Sequence, residues 1–266
     1  MTTYKDSIDK GKTPIAIDPY NVLGKYADFD KYRITQYDPL NPNLDLSDPL
    51  DKEQYVDSMV DALTNDAKYE GGNHFRETAE AILGAIIEDH IGTGKTLVNL
   101  YDKFAPLSQA ETIQELQAIY DITRSRRAIG AAGLLGKVAE EEAGSMLSTL
   151  YRSFDYVAST AWSKFLSKVQ LDMNKMIDEK VDLFLIVPLK MVKKYPKVIR
   201  MIFSMFLVHF DLADPKKLLN RKFQIFLDEA AQLKSNREIE QIIEIYGENF
   251  AQLWMISAVE SIYSTA

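Results

Sequence analysis

Apolar positions in this chain follow two different periods, and the switches between them divide it into three regions. Up to about Pro49 there are two short β-branched or aromatic runs, Ile15-Ala16-Ile17 and Arg33 to Tyr37, closed by Asp18-Pro19 and Asp38-Pro39. Brief extended runs stopped by such pairs predict strands that end in loops. The stretch Leu40 to Leu50 (LNPNLDLSDPL) keeps no regular period and is expected to be a linker. From about Asp51 to Lys175 the spacing turns helical: Val56, Met59, Val60 and Leu63 share one face, as do Ala79, Ile82, Leu83, Ile86 and Ile87. Ser108, with Glu111 three residues on, predicts a capping-box start for a helix carrying Ile113, Leu116, Ile119 and Tyr120. Met146, Leu147, Leu150, Tyr151, Phe154 and Val157 form another stripe, followed by Trp162, Phe165, Leu166 and Val169. These stripes are read as core.

The third region alternates. Val181 to Val187 (VDLFLIV, ending at Pro188), Phe223 to Leu227 (running into Asp228-Glu229) and Leu253 to Ser257 predict buried strands. Between them lie an apolar helix over Val198 to Leu212 and a helix carrying Ile239, Ile242, Ile243 and Tyr246. Continuous apolar runs alternating with helices predict a parallel sheet covered on both faces. The expected fold class is therefore α/β, with sheet pieces in 1–50 and 176–266 and an all-helical domain over 51–175 set between them.

Composition narrows the chemistry. A length of 266 residues suits one large domain or two small ones. With 46% hydrophobic and 26% charged residues, a disordered or collagen-like chain is excluded. Thirty-one basic against 39 acidic residues (net −8) argue against wrapping nucleic acid with the whole surface. Local basic faces remain open at Arg124, Arg126 and Arg127, and at Lys190, Lys193, Lys194, Lys197 and Arg200, with solvated helix faces as the plainer alternative. The chain has no cysteine, which removes disulfide scaffolds, cysteine zinc sites and thiol nucleophiles. Three scattered histidines (His74, His90, His209) offer little for a metal centre or a Ser/His triad. Met1 to Lys12 lacks the apolar core of a secretory signal. The greasy run Val198 to Leu212 is shorter than the ~20 residues a bilayer needs and is broken by Arg200, His209 and Asp211, so no membrane contact is expected from this chain.

Two strings carry candidate chemistry. FQIFLDEAAQL (Phe223 to Leu233) has the Walker B pattern, in which a buried strand fixes two carboxylates at its C-terminal end. There Asp228 would help hold a magnesium ion and Glu229 would orient and deprotonate water, as a catalytic pair. Apolar-strand-then-acid also arises by chance in α/β proteins. The second string, Gly92-Thr93-Gly94-Lys95-Thr96, matches part of a phosphate loop, but Asp89 stands where that pattern has its first glycine. The preceding segment, Glu77 to Ile91, has helical period and brings Glu88 and Asp89 beside the loop, whereas a phosphate loop leaves a strand and enters a helix. GTGKT is expected to be a helix–helix connection.

Taken in order, several segments resemble the type IV secretion coupling proteins, the TraG/TraD class of conjugative DNA-pumping ATPases. They are IAIDPYNVLGKY (Ile15 to Tyr26) with ITQYDPLNP (Ile34 to Pro42), GGNHFRETAEAILGAII (Gly71 to Ile87), EEAGSMLSTLYRSFDYVAS (Glu141 to Ser159), VDLFLIVPLKMVKKYPKVIRMIF (Val181 to Phe203) and FLDEAAQL (Phe226 to Leu233). The resemblance implies a partial RecA-like P-loop NTPase motor domain interrupted by an all-α domain, with Asp228 and Glu229 in the Walker B roles. It also implies ATP and Mg2+ as the full-length family's cofactors, hexameric rings on the cytoplasmic face of the bacterial inner membrane, and relaxase–DNA complexes or effector proteins handed to secretion channel components. The helical domain is implicated in recognising that cargo.

Departures shape the expectations. The family's Walker A loop and membrane anchor lie upstream of the first Asp-Pro segment, so neither is expected here, no stable nucleotide binding is expected, and the chain alone is not expected to turn over ATP. After Asp18-Pro19 the family usually has Lys-Gly-Glu where this chain has Tyr20-Asn21-Val22; its nucleotide-sensing Gln falls at Ala258 when counted from Leu253-Trp254, or else that motif is shortened before Ile262-Tyr263. Strands near Ile15 and Phe223 are expected to lack neighbours and to expose sheet edges. Two rival functions stand beside the coupling-protein segment: a stand-alone substrate-binding adaptor with a scaffold-only motor remnant, and an independent P-loop NTPase using Lys95.

Overall fold

The computed structural model describes residues 13–17, 33–34, 38–64, 73–152, 155–166, 183–185, 189–213, 223–228 and 251–256. The chain divides into two compact units, Gln36–Val169 and Met1–Thr35 with Gln170–Ala266.

The two-segment unit contains a five-stranded sheet, β1 (Thr13–Ile17), β2 (Arg33–Ile34), β3 (Leu183–Leu185), β4 (Phe223–Asp228) and β5 (Ala251–Ile256), in the order β2-β3-β1-β4-β5. Every pairing is parallel. Ile15 lies opposite both Leu183 and Ile225, and Phe226 lies opposite Trp254. Parallel strands need crossovers, and the short apolar runs seen in sequence are what a sheet covered on both sides requires. β1 and β4 each have a neighbour on both sides, so the expected bare edges at Ile15 and Phe223 are not found. Residues distant in sequence supply the missing partners: β3 flanks β1, and β5 flanks β4. Among the described residues the sheet's edges are β2 and β5.

Between β3 and β4 run α8 (Leu189–Lys194) and α9 (Pro196–Leu212). Pro196 opens α9 at a position where its missing N–H costs nothing. Val198, Ile199, Met201, Ile202, Phe203, Met205, Phe206 and Val208 are all buried, as are Arg200 and His209. A helix apolar on every side is a core helix. Among the described residues no helix is long and apolar enough to cross a membrane.

The contiguous unit is helical: α1 (Pro49–Thr64), α2 (Asn73–His90), α3 (Leu97–Phe104), α4 (Gln109–Thr123), α5 (Arg126–Leu135), α6 (Glu140–Arg152), a 3-10 turn (Asp155–Ala158) and α7 (Thr160–Phe165). α2 is the central element and packs on α1, α4, α5 and α6. Its stripe of Ala79, Ile82, Leu83, Ile86 and Ile87 meets water nowhere. At about 1.5–3 kcal/mol for each large apolar side chain removed from water, such stripes are the main favourable term. Gly84 leaves room for Arg127 between α2 and α5: a Cβ there would come within 2.8 Å of the guanidinium, and the side chain would have to shift. Ser108 and Glu111 form the expected capping box at the start of α4, while Trp162 and Phe165 pack edge to face, 5.4 Å apart.

The expected boundary at residue 50 falls inside the helical unit rather than at its edge, and the expected one at 175 lies outside the described residues. The reason is that residues 38–41 are tied into the helices. Leu40 is fully buried and the Tyr55 hydroxyl donates to the Pro39 carbonyl at 2.8 Å. The stretch is irregular, as expected, but its first residues are packed rather than slack.

Candidate functional site

Of the expected acid pair, the described residues include Asp228, at the end of β4. Asp228 is the last residue of that strand, level with Ile256 of β5, and one step beyond the Ile17–Leu227 pairing with β1. Its backbone is therefore paired with β5 alone, one residue past the end of β1, at the C-terminal edge of the sheet, the edge where open α/β sheets bind ligands. β1 ends on the same edge at Ile17, the residue before Asp18. Glu229 lies outside the described residues, as do Asp18, His74's side chain and the helix expected around Ile239 to Tyr246. For an ATP–magnesium site this strand end is a suitable place for one carboxylate. A phosphate cradle has to come from elsewhere.

The GTGKT string cannot supply it. The loop leaves the helix α2 rather than a strand, and enters α3. Gly92 and Gly94 take the left-handed backbone (φ +72° and +79°) that lets the chain turn between the helices. The amides a phosphate would need are already used. Gly92 N–H donates to the Leu40 carbonyl at 2.7 Å, Gly94 N–H to Asn41 Oδ1 at 2.7 Å and Thr93 N–H to the His90 carbonyl at 3.2 Å. Thr96 N–H donates to Asn99 Oδ1 at 2.9 Å, and the Thr96 hydroxyl caps α3. This geometry speaks against the independent NTPase built on Lys95: four amides between Gly92 and Thr96 are already hydrogen-bonded within the chain.

What occupies that place is the Asp-Pro-Leu-Asn segment. Asn41 bridges the loop by also donating from Nδ2 to the Lys95 carbonyl (2.9 Å) and to Asp38 Oδ2 (2.8 Å). Asp38 Oδ1 accepts from Leu40 N–H at 3.1 Å, an Asx turn that shapes the segment. Burial raises the Asp38 carboxyl above its ordinary value, against the opposing pull of those hydrogen bonds. Beside the loop, His90 is buried, its Nδ1–H donating to the Ile86 carbonyl and its ring edge-on to Phe104 at 5.8 Å. Desolvation lowers its pKa, outweighing that hydrogen bond and the nearby Asp89. No periodicity pointed to this clasp; the sequence signal was the pair of Asx residues, Asp38 and Asn41, on either side of Pro39-Leu40.

The basic clusters also separate. Arg127 pairs with Asp57 at 2.6 Å and Glu53 at 3.7 Å, and so binds α5 to α1. Arg124 lies over the Tyr120 ring and 3.7 Å from Asp121. Arg126 alone of the three is exposed with no ion pair among the described residues. In the second cluster Arg200 is buried, whereas Lys190, Lys193 and Lys194 are exposed on α8. Among the described residues no group of His, Asp and Glu side chains is arranged to hold a metal ion.

A cleft of about 540 Å³ in the helical unit is lined by Tyr101, Ser108, Gln109, Glu140, Tyr151 and Arg152, among others. Gln109 closes one side by donating to the Leu135 and Val138 carbonyls, both at 2.8 Å. Burial pushes the Tyr151 hydroxyl's pKa up, so it stays neutral.

Comparison with solved structures finds the same fold in conjugative coupling proteins. An unbound form of the bacterial conjugative coupling protein TrwB superposes with TM-score 0.55 at 12% identity, over 94% of this chain and 57% of that one. The plasmid coupling protein TrwB in complex with ADP and Mg2+ gives 0.56 at 13% identity, over 94% and 58%. TrwB with a non-hydrolysable ATP analogue gives 0.55 at 12%, again over 94% and 58%. The chain thus spans a little under three-fifths of the proteins it matches. No curated protein matches it by sequence. The family described as type IV secretory system conjugative DNA transfer matches residues 30–257, and the chain belongs to that family.

Proposed function

We propose that this chain is the cargo-recruiting and Walker B part of a conjugative coupling protein. Its sheet unit is part of a RecA-like motor. In the assembled system that motor works as a hexameric ring on the cytoplasmic face of the inner membrane and passes relaxase–DNA complexes or effector proteins to the secretion channel. The observation that carries the reading is Asp228 ending a central parallel strand, in a chain whose family and fold are those of coupling proteins. In this reading the Asp228 carboxylate takes a magnesium–water shell and Glu229 orients the attacking water; ATP and magnesium supply the energy of transport when bound. Because the GTGKT amides are spent within the helical unit, these 266 residues alone do not hydrolyse ATP.

The test pairs two assays on the purified chain. Capture of a relaxase–DNA complex or an effector protein is expected, with no magnesium-dependent ATP turnover. Turnover that disappears in Glu229→Gln would overturn the second half, and absence of capture the first. The adaptor reading is favoured by one observation, the self-contained bonding of the 36–169 unit. It gains if Asp228→Asn and Glu229→Gln leave DNA transfer intact when placed in the full-length transporter.

A further inference from the structure

We propose that the outer face of α5 docks an acidic amphipathic helix of a partner protein. Arg126, Ile129, Gly130, Gly133, Leu134 and Lys137 all face water along α5 and its exit, as does Gly136 beside them. Their spacing of three and four makes one continuous stripe. Ile129 and Leu134 are 40% and 37% exposed, and on the adjoining helix α4 Ile122 is 83% exposed. Only one other large apolar side chain among the described residues, Leu50, stands out as exposed. An ordinary solvated face would not gather three of the four near one helical hairpin.

The stripe has charged ends, roughly 15 Å apart at the helical rise. Neither Arg126 nor Lys137 has an ion pair among the described residues, although carboxylates are plentiful in this unit. Residues 36–169 hold 12 Lys and Arg against 21 Asp and Glu, a net charge of −9. Within so acidic a unit, two unpaired cations bracketing an apolar stripe select a ligand that is acidic at its ends and apolar between. Nucleic acid fits poorly. A phosphate backbone gives Ile129 and Leu134 nothing to bury against. A helix with carboxylates about three turns apart and an apolar stripe between them satisfies both features, and Gly130 and Gly133 leave room for close approach, since a Cβ at either would meet nothing within 4 Å.

This rests on the cargo-recruiting reading but fails separately from it. The measurement is fluorescence anisotropy with a labelled synthetic helical peptide carrying Glu at both ends and Leu and Ala between, its Lys-ended counterpart, and a single-stranded oligonucleotide. The full chain is expected to bind the Glu-ended peptide at least about tenfold more tightly than the other two. Arg126→Glu with Lys137→Glu should reverse the peptide preference. Leu134→Gln should weaken both peptides while circular dichroism stays unchanged. Unaltered preference in the charge-reversed variant overturns the proposal, as does oligonucleotide binding that depends on Arg126. Sedimentation showing a dimer that Leu134→Gln dissolves overturns it in favour of a second copy of this chain. Peptide binding without relaxase or effector capture would sink the cargo reading and leave the docking face standing; capture without peptide binding would do the reverse.

Discussion

The helical unit is one unbroken stretch of 134 residues, whereas the sheet unit is assembled from two stretches separated by that whole length. Charge divides the same way. Residues 36–169 carry −9, and the remainder, with 19 basic and 18 acidic residues, carries +1. One unit is held by contacts between helices close in sequence; the other depends on β1 finding β3 and β4 some 170 to 210 positions away. Loop closure over such distances is entropically costly and slow, so the helical unit is the part able to form first and to stand alone. The difference separates a contiguous helical unit with a strong charge of its own from a nearly neutral unit whose sheet is assembled from distant segments.

The strongest way to break that comparison is a cavity in the helical core. Ile82→Ala removes a fully buried side chain from α2 and should cost about 3 kcal/mol. The chain has two tryptophans, Trp162 in the helical unit and Trp254 in β5, so a Trp254→Phe background reports on the helical unit and Trp162→Phe on the sheet. The Trp162 transition should move to lower denaturant while the Trp254 transition stays. Equal movement of both would mean that the two units unfold as one.

A second test concerns the clasp. Asn41→Ala removes the acceptor of Gly94 N–H and the donor to Lys95 and Asp38, at a cost of about 1–2 kcal/mol for groups that water partly reaches. Limited proteolysis should then cut within 38–50, where the unaltered chain yields a resistant fragment beginning near residue 36. Cutting at 40–50 in both would return that segment to the status of a free linker.

How much was legible in the sequence follows from the range of the forces. Helices α1, α2 and α4 were visible as stripes, and the Ser108–Glu111 box fixed the start of α4, because both signals lie within a few residues. The strands were visible as apolar runs and their parallel pairing as alternation with helices. Their order was not, since nothing local to Ile15 says that Leu183 and Ile225 lie beside it. The placing of Asp228 at a strand end was readable for the same local reason. The clasp around Asp38 and Asn41 was missed because its partners, Gly92 to Lys95, are more than 50 residues away and it relies on single hydrogen bonds rather than on a pattern.

Acidity gives a finer contrast between the units. His90 is buried with its pKa below the ordinary 6.5, so the unfolded chain takes up its proton before the folded one does. Between 6.5 and the lower folded value the unfolded state binds more protons, and stability falls as pH falls through that window. Asp38, raised above 3.8, acts in the opposite sense and at lower pH, where its protonation favours the folded state. The Trp162 transition should therefore weaken below about pH 6.5, and His90→Gln should flatten that part of the profile. A profile unchanged by His90→Gln would show that another group governs the acid limb.

The smallest expected effect is also the most telling about the GTGKT string. The Lys95 side chain is exposed, and the structural work of its loop is done by backbone: its carbonyl accepts from Asn41, and its neighbours' amides are spent on Leu40, Asn41 and His90. Lys95→Ala should therefore change stability by less than about 0.5 kcal/mol and leave any nucleotide response of the chain where it was. In a phosphate loop the same change would remove the cation that reaches the β- and γ-phosphates, and affinity would collapse. Titration with Mg–ATP separates the two cases. Binding that is present in the unaltered chain and lost in Lys95→Ala would require the Asn41 clasp to open, returning the helix–helix connection to a nucleotide site and the helical unit to a motor.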